Sequence, residues 1–306
     1  MLNGCDDGDL TAEIIDFSEI EPVSCSETNE LLYKLKDQES LLLQLPKYTL
    51  SPENGIPELG SKEYSITSGG AYQLVYRAYD GVISKSNICD AIRPSSPNVS
   101  NEWFATGGKI KIETSPKIET NDTNGSSRII GFNHAIYMQN ITYSKPQGEQ
   151  VNPDFFFGNL IESNYTSPTI AFTNEVGQCS TTYQLYNSTA TSTMTIDAVD
   201  SKLIVNEETF GTARTSNITS TQNKIVYNNY INGTISTAYF CNTTRPTSPE
   251  IDETWNGAAG GTIEVTTTKT GTTFFHTITL KNVVLENGNL NFKLGNSFLF
   301  GVLTKS

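Results

Sequence analysis

The sequence predicts an all-β protein built as two tandem homologous β-sandwich domains of about eight strands each. Three observations predict it. The chain repeats itself at long range, its apolar residues alternate with period two, and turn dipeptides break it into strand-sized pieces. The repeat is clearest at Cys89, Arg93, Pro94, Ser96, Pro97, Trp103 and Gly108, which read C-x3-R-P-S-S-P-x5-W-x4-G. Cys241, Arg245, Pro246, Ser248, Pro249, Trp255 and Gly260 read C-x3-R-P-T-S-P-x5-W-x4-G. The shift is 152 residues (241 − 89) at every one of these positions. A period that long means two copies of a whole domain, not a solenoid of short units.

The match extends both ways. Leu32-Tyr33 answers Leu185-Tyr186, His134-x-Ile136 answers His276-x-Ile278, and Phe155-x-Phe157-Gly158 answers Phe298-x-Phe300-Gly301. The offset falls from 154 (179 − 25) at the first cysteines to 142 (276 − 134) at the histidines. An insertion in the first copy around Asn121 to Arg128 explains the drift. Its sequence, NDTNGSSR, is turn chemistry and predicts a longer surface hairpin loop. The organisation that follows is a tether at 1–9, a first sandwich at 10–163 and a second at 164–306.

Period-two alternation is plain in Thr262-Ile263-Glu264-Val265-Thr266 and in His276-Thr277-Ile278-Thr279-Leu280. Asp80-Gly81, Asn124-Gly125, Asn232-Gly233 and Asn287-Gly288 mark turns. No stretch keeps a 3.6-residue period over three turns. One short helical turn is expected at Asn87 to Ile92, ended by Pro94.

Charged residues make up 17% of the chain, and the net charge is −13. A polar but sparsely charged surface suits an extracellular β protein, whereas nucleic-acid binding requires clustered Lys and Arg. No nucleic-acid partner is expected. No run of 18 apolar residues reads as a spanning helix.

Four of the five cysteines form repeat-equivalent pairs. Cys25–Cys89 and Cys179–Cys241 would close loops of 64 and 62 residues (89 − 25 and 241 − 179). Of the three connectivities available, only this one maps one copy onto the other. The alternative is free buried thiols. Disulfides imply an exported protein. The histidines, one per copy, share a strand face with Ile136 and Ile278. Packed, hydrogen-bonded core residues are expected there, not metal ligands. No cofactor and no metal site is expected.

Trp103, Trp255, Arg93 and Arg245 are the weak candidates for ligand contact. A tryptophan ring can stack on a sugar, though core packing is the stronger reading. Each arginine precedes proline in a loop that a carboxylate or carbonyl partner would fix. The oxygen-rich stretch Glu119 to Gly125 lacks the ligand order of a calcium loop and reads as a turn. No G-x-S-x-G, H-E-x-x-H or P-loop occurs, and no catalytic residue is assigned. Paired acidic residues of a hydrolase have no readable signature in sequence.

Cys5 stands outside both copies, in Leu2-Asn3-Gly4-Cys5, followed by Asp6-Asp7-Gly8-Asp9. The tetrapeptide resembles the lipobox of bacterial lipoproteins, and the acidic run resembles their surface-export signal. Together with the tandem Cys…Pro…Trp…Gly-Gly units, the chain resembles surface lipoproteins of Gram-negative bacteria with tandem all-β domains. The resemblance implies acylation of Cys5, a membrane partner through that lipid and an outer-membrane or cell-surface location. It implies no activity. The basic and apolar parts of a signal peptide are not in this sequence, and a truncated or misassigned start would explain that departure from the lipoprotein pattern. The tether from Cys5 to Leu10 spans at most about 18 Å. The expected function is a non-catalytic binding or adhesion module for a glycan or an envelope protein. The alternatives are an accessory subunit of an envelope complex and a hydrolase.

Overall fold

A computed structural model describes residues 14–306, apart from Asn54, Thr243 and Arg245. The protein is all-β, in two compact units. The first holds residues 14–116 and Gly131–Asn164; the second holds Lys117–Ile130 and Tyr165–Ser306. The expected lipidation site Cys5 and the expected tether at 1–9 lie outside the described residues, as does Arg245.

In chain order the first stretch forms β1 (Val23–Ser24), β2 (Leu31–Lys36), β3 (Glu39–Gln44), β4 (Gly60–Ser65) and β5 (Gln73–Tyr79). After α1 (Lys85–Cys89) come β6 (Val99–Asn121), β7 (Ser126–Lys145), β8 (Gly148–Asn152) and β9 (Phe155–Glu162). The second stretch forms β10 (Gly177–Gln178), β11 (Leu185–Ser188), β12 (Ser192–Asp197), β13 (Arg214–Asn217) and β14 (Lys224–Ile231). Beyond a 3-10 turn at Thr237–Tyr239 follow β15 (Glu250–Gly257), β16 (Thr262–Thr270), β17 (Thr273–Lys281), β18 (Val284–Asn287), β19 (Leu290–Lys293) and β20 (Phe298–Lys305).

The strand orders agree element by element. The first runs β1-β2-β3-β5-β6-β7-β8, with β4 on β6 and β9 on β7. The second runs β10-β11-β12-β14-β15-β18-β19 in one sheet and β13-β16-β17-β20 in the other. The long strand β6 thus does the work of β15 and β16 together, and β7 that of β17 and β18. Its two ends serve different partners: Val99–Phe104 pairs with β5, and Lys109–Thr114 pairs with β4. The switch between them falls at Gly108, whose φ is +116°; Gly260, between β15 and β16, has the same φ. Register shifts also recur at matching places, between Ala78/Tyr79 and Asn229/Tyr230, and between Ile136/Tyr137 and Ile278/Thr279.

The continuous apolar run Leu41-Leu42-Leu43 has a simple cause. Both faces of its sheet are covered, as in other doubly buried strands. Leu32, Leu41, Leu43, Leu74 and Tyr76 point into the main core with Ile110, Ile136 and Phe157. Tyr33, Leu42, Val75 and Tyr79 point the other way, under Ile83 and Ile88 of the α1 region. The Cys25–Cys89 disulfide pins that cover, and Cys179–Cys241 lies at the matching place beside Tyr230, Tyr239 and Phe240. Both bridges are those the repeat predicts. Each closes a loop long enough to stabilise by about 4 kcal/mol on the chain-entropy model.

The helix begins two residues before its expected start and ends at Cys89, not Ile92. Ser84 caps it, with Asn87 Oδ1 accepting the Ser84 N–H at 2.9 Å, and Asp90 turns to an extended conformation. Capping, and not the later proline, sets its length. The insertion at 121–128 is a hairpin turn in which Asn121 and Asn124 side chains accept backbone N–H groups. It is also engaged within the second unit: the backbone Asn124 O accepts the Asn296 N–H, and the side-chain Ser127 Oγ accepts the Lys293 N–H.

Gly108 and Gly260 offer a test. A Cβ at Gly108 would meet Asn140 O at 2.8 Å and Ile141 Cδ1 at 2.7 Å; at Gly260 it would meet nothing within 4 Å. Gly260→Ala is expected to lose about 1–2 kcal/mol through its positive φ alone. Gly108→Ala should lose at least about 1 kcal/mol more through the clash. Chemical denaturation of both variants measures the difference, and equal losses would reject the account.

Candidate functional site

The predicted ligand contacts do not form a site. Trp103 is buried against Tyr76, with ring centroids 4.7 Å apart, and Lys145 Nζ lies 4.0 Å from its ring centroid. Trp255 is fully buried; its ring meets Phe292 edge-on, and its Nε1 donates to Glu253 Oε2 at 3.1 Å. Neither offers a face to a sugar. Arg93 is exposed, and the partner expected to fix its loop is not among the described residues.

A cavity of about 420 Å³ lies in the first unit instead. That is within the range of small-molecule pockets, roughly 300–1,000 Å³. Three parts of the chain wall it: residues 14–18 ahead of β1, Lys34 and Leu41 from β2 and β3, and residues 150–156 around the β8–β9 turn. Ile15, Phe17, Leu41 and Phe155 give it apolar walls, and Ile14, Val151 and Phe156 are solvent-exposed at its margin. Polar groups fix the wall segments. Asp16 Oδ1 accepts both the N–H and the Oγ–H of Ser18, at 3.0 and 2.8 Å. These bonds, aided by Lys36 and Lys34, hold the Asp16 carboxyl below the usual carboxylate range. On the opposite side Lys145 Nζ donates to Gln150 Oε1 and Gln150 Nε2 to Asn152 Oδ1, each at 2.8 Å.

Lys34 is the unusual member. It lies opposite Leu41 on the inward face of β2 and is only 2% exposed. Its Nζ donates to Phe17 O at 2.9 Å and sits 5.3 Å from the Phe157 ring centroid. Burial pushes its pKa down, against the through-space pull of Glu21 and Asp16. The sequence gives one signal for it: within Leu32-x-Lys34 the cation takes a position that period two assigns to the core.

A second polar cluster surrounds the first histidine. His134 is fully buried, with Nδ1 3.0 Å from Thr114 Oγ1. Its Nε2 lies 3.4 Å from Glu162 Oε2, without hydrogen-bond geometry. Asn29 and Ser51 donate to the same carboxylate. Burial alone would raise the Glu162 pKa; His134, Ser51 and Asn29 outweigh it and hold the group below its usual value. In the second unit Thr267 Oγ1 lies 2.8 Å from His276 Nδ1, and Nε2 faces Asn206 Oδ1 at 3.2 Å. Burial, then Arg214 and Lys305, push the His276 pKa down. Both histidines are packed and hydrogen-bonded, as the sequence predicts. No group of three or more His, Cys, Asp or Glu among the described residues could hold a metal ion.

The two clusters predict separate acid responses. A histidine with a depressed folded-state pKa stabilises fully above its ordinary value of 6.5, and that stability is lost as pH falls below it. A depressed carboxyl keeps its contribution down to its ordinary 4.5 and loses it below. Thermal melts at pH 7 and 5.5 should therefore show a drop that His276→Gln reduces and Glu162→Gln leaves intact. The reverse pattern would reject the assignment. No protein-family model, curated protein or solved structure matches the chain, which leaves the chemistry of these sites to carry its function.

Proposed function

We propose that this protein is an exported, non-catalytic binding module held at a cell surface by lipid on Cys5, and that its ligand enters the cavity beside Lys34. The single observation behind the binding reading is that cavity, with apolar walls and exposed Ile14, Val151 and Phe156 at its margin. Two disulfides suit an oxidising, exported setting, and no helix among the described residues is long and apolar enough to cross a membrane. The place of Cys5 outside both repeat copies and the acidic run behind it in the sequence support the anchor. A glycan-binding or adhesive role for the second unit draws on Tyr183 and Phe210, which are 63% and 89% exposed in loops.

Nile red, an uncharged apolar dye, tests the cavity. It should bind saturably, and Val151→Asp at the exposed margin should weaken it at least about fivefold without lowering the melting temperature. Absence of saturable binding would reject the cavity as the ligand site. The anchor is tested by expression behind a full signal peptide. The wild type should fractionate with membranes and carry a diacylglycerol mass on Cys5, and Cys5→Ser should be released. Retention of Cys5→Ser in the membrane fraction would reject lipid anchoring.

A further inference from the structure

Lys34 poses a charge problem that the second unit does not share. Lysine is almost never fully buried without a counter-charge. Lys34 is, and among the described residues no carboxylate lies within ion-pair distance of it; one carbonyl, Phe17 O, accepts one of its three donors. In the second unit the corresponding position is Asn187. Tyr33 pairs with Val23 of β1, and Tyr186 pairs with Gly177 of β10, so the next residues, Lys34 and Asn187, occupy one register position.

Asn187 is equally buried and fully engaged. Its Nδ2 donates to Asn174 O at 3.1 Å and Phe300 O at 2.8 Å, and its Oδ1 accepts the Ser188 N–H at 2.8 Å. Asn174 O belongs to the segment ahead of the first strand, as Phe17 O does in the first unit. Phe300 is the counterpart of Phe157. A neutral amide therefore tethers the leading segment to the sheet. The tether needs no charge, yet the first unit has one and sets it at the wall of an apolar cavity.

We infer that the cavity takes a small molecule with an apolar body and a single carboxylate, and that Lys34 is the group that recognises the carboxylate. This rests on the cavity being the binding site. The ammonium is a compact point charge with donors to spare, which suits one carboxylate. The depressed Lys34 pKa fits a cation held without its anion. The apolar walls would cover the rest of the ligand, and expulsion of water would strengthen the ion pair.

Three single-chain probes with tails of closely similar length and anionic, neutral and cationic heads separate the contributions: decanoate, decanol and decyltrimethylammonium. Each is titrated calorimetrically into the disulfide-intact protein, and each is also used to displace Nile red. Decanoate should bind at least about tenfold more tightly than decanol, and the ammonium compound more weakly than either. Lys34→Met should bring decanoate to the level of decanol and leave decanol unchanged. Decanol binding as tightly as decanoate would overturn the role of Lys34 while the cavity stands as an apolar site. Equal decanoate binding by wild type and Lys34→Met would overturn it too. No saturable decanoate binding below its micelle threshold would reject the inference. Nile red binding without it would keep the cavity reading, and the loss of both would remove both.

Discussion

The two-stranded ribbon that belongs to both sheets of a sandwich is the constraint on which each unit depends. In the first unit β6 and β7 each begin against one set of partners and end against another. The second unit divides the same path into β15, β16, β17 and β18. A strand can change sheets only where its backbone bends without losing its ladder. Gly108 and Gly260 supply the bend on one strand, and Asn140 and Asn282, with φ of 50° and 53°, supply it on the other. Asparagine is among the few residues with a side chain that tolerate this region readily. Once the ribbon is bent, β4 and β9 have an edge to join, the core is closed between the sheets, and residues 14–18 and 150–156 are carried to the same end of the sheet.

Much of this was legible because symmetry did the reading. The four cysteines allow three connectivities; the repeat leaves one that maps copy onto copy, and the structure has it. The histidines were legible for a different reason. Period two placed His134 and His276 with core isoleucines, and a buried imidazole needs a partner, which Thr114 and Thr267 provide. The helix limits were not legible, because a local cap at Ser84 sets the start and the extended backbone of Asp90 ends the helix before the proline is reached.

The cavity was hidden from the sequence. Its walls come from stretches more than a hundred residues apart, and no motif spans them. Lys34 was hidden more subtly. In a strand with one wet face, a lysine marks that face. Here both faces of β2 are covered, by Ile110, Ile136 and Phe157 on one side and Ile83 and Ile88 on the other, so a lysine in the middle of this strand is enclosed whichever face it takes. Its polar type reads as solvent-facing, and only its spacing from Leu32 places it with the core.

The two units differ at buried polar positions, where a framework tolerates change least. Beside the first histidine stands the carboxylate of Glu162; near the second, Arg214 and Lys305 contribute positive charge. Where the first unit buries Lys34, the second buries Asn187. A surface charge can change sign at little energetic consequence, but a buried one must be matched by neighbours or by a ligand. Around Glu162 the neighbours have changed with it: Asn29 and Ser51 donate to its oxygens. Around Lys34 they have not, since among the described residues its hydrogen bond goes to a neutral carbonyl. Of the two sites, the one with no ion-paired carboxylate among the described residues also borders a cavity large enough to admit one. That coincidence separates Lys34 from the other buried polar groups of the fold and makes the first unit the place to look for a ligand.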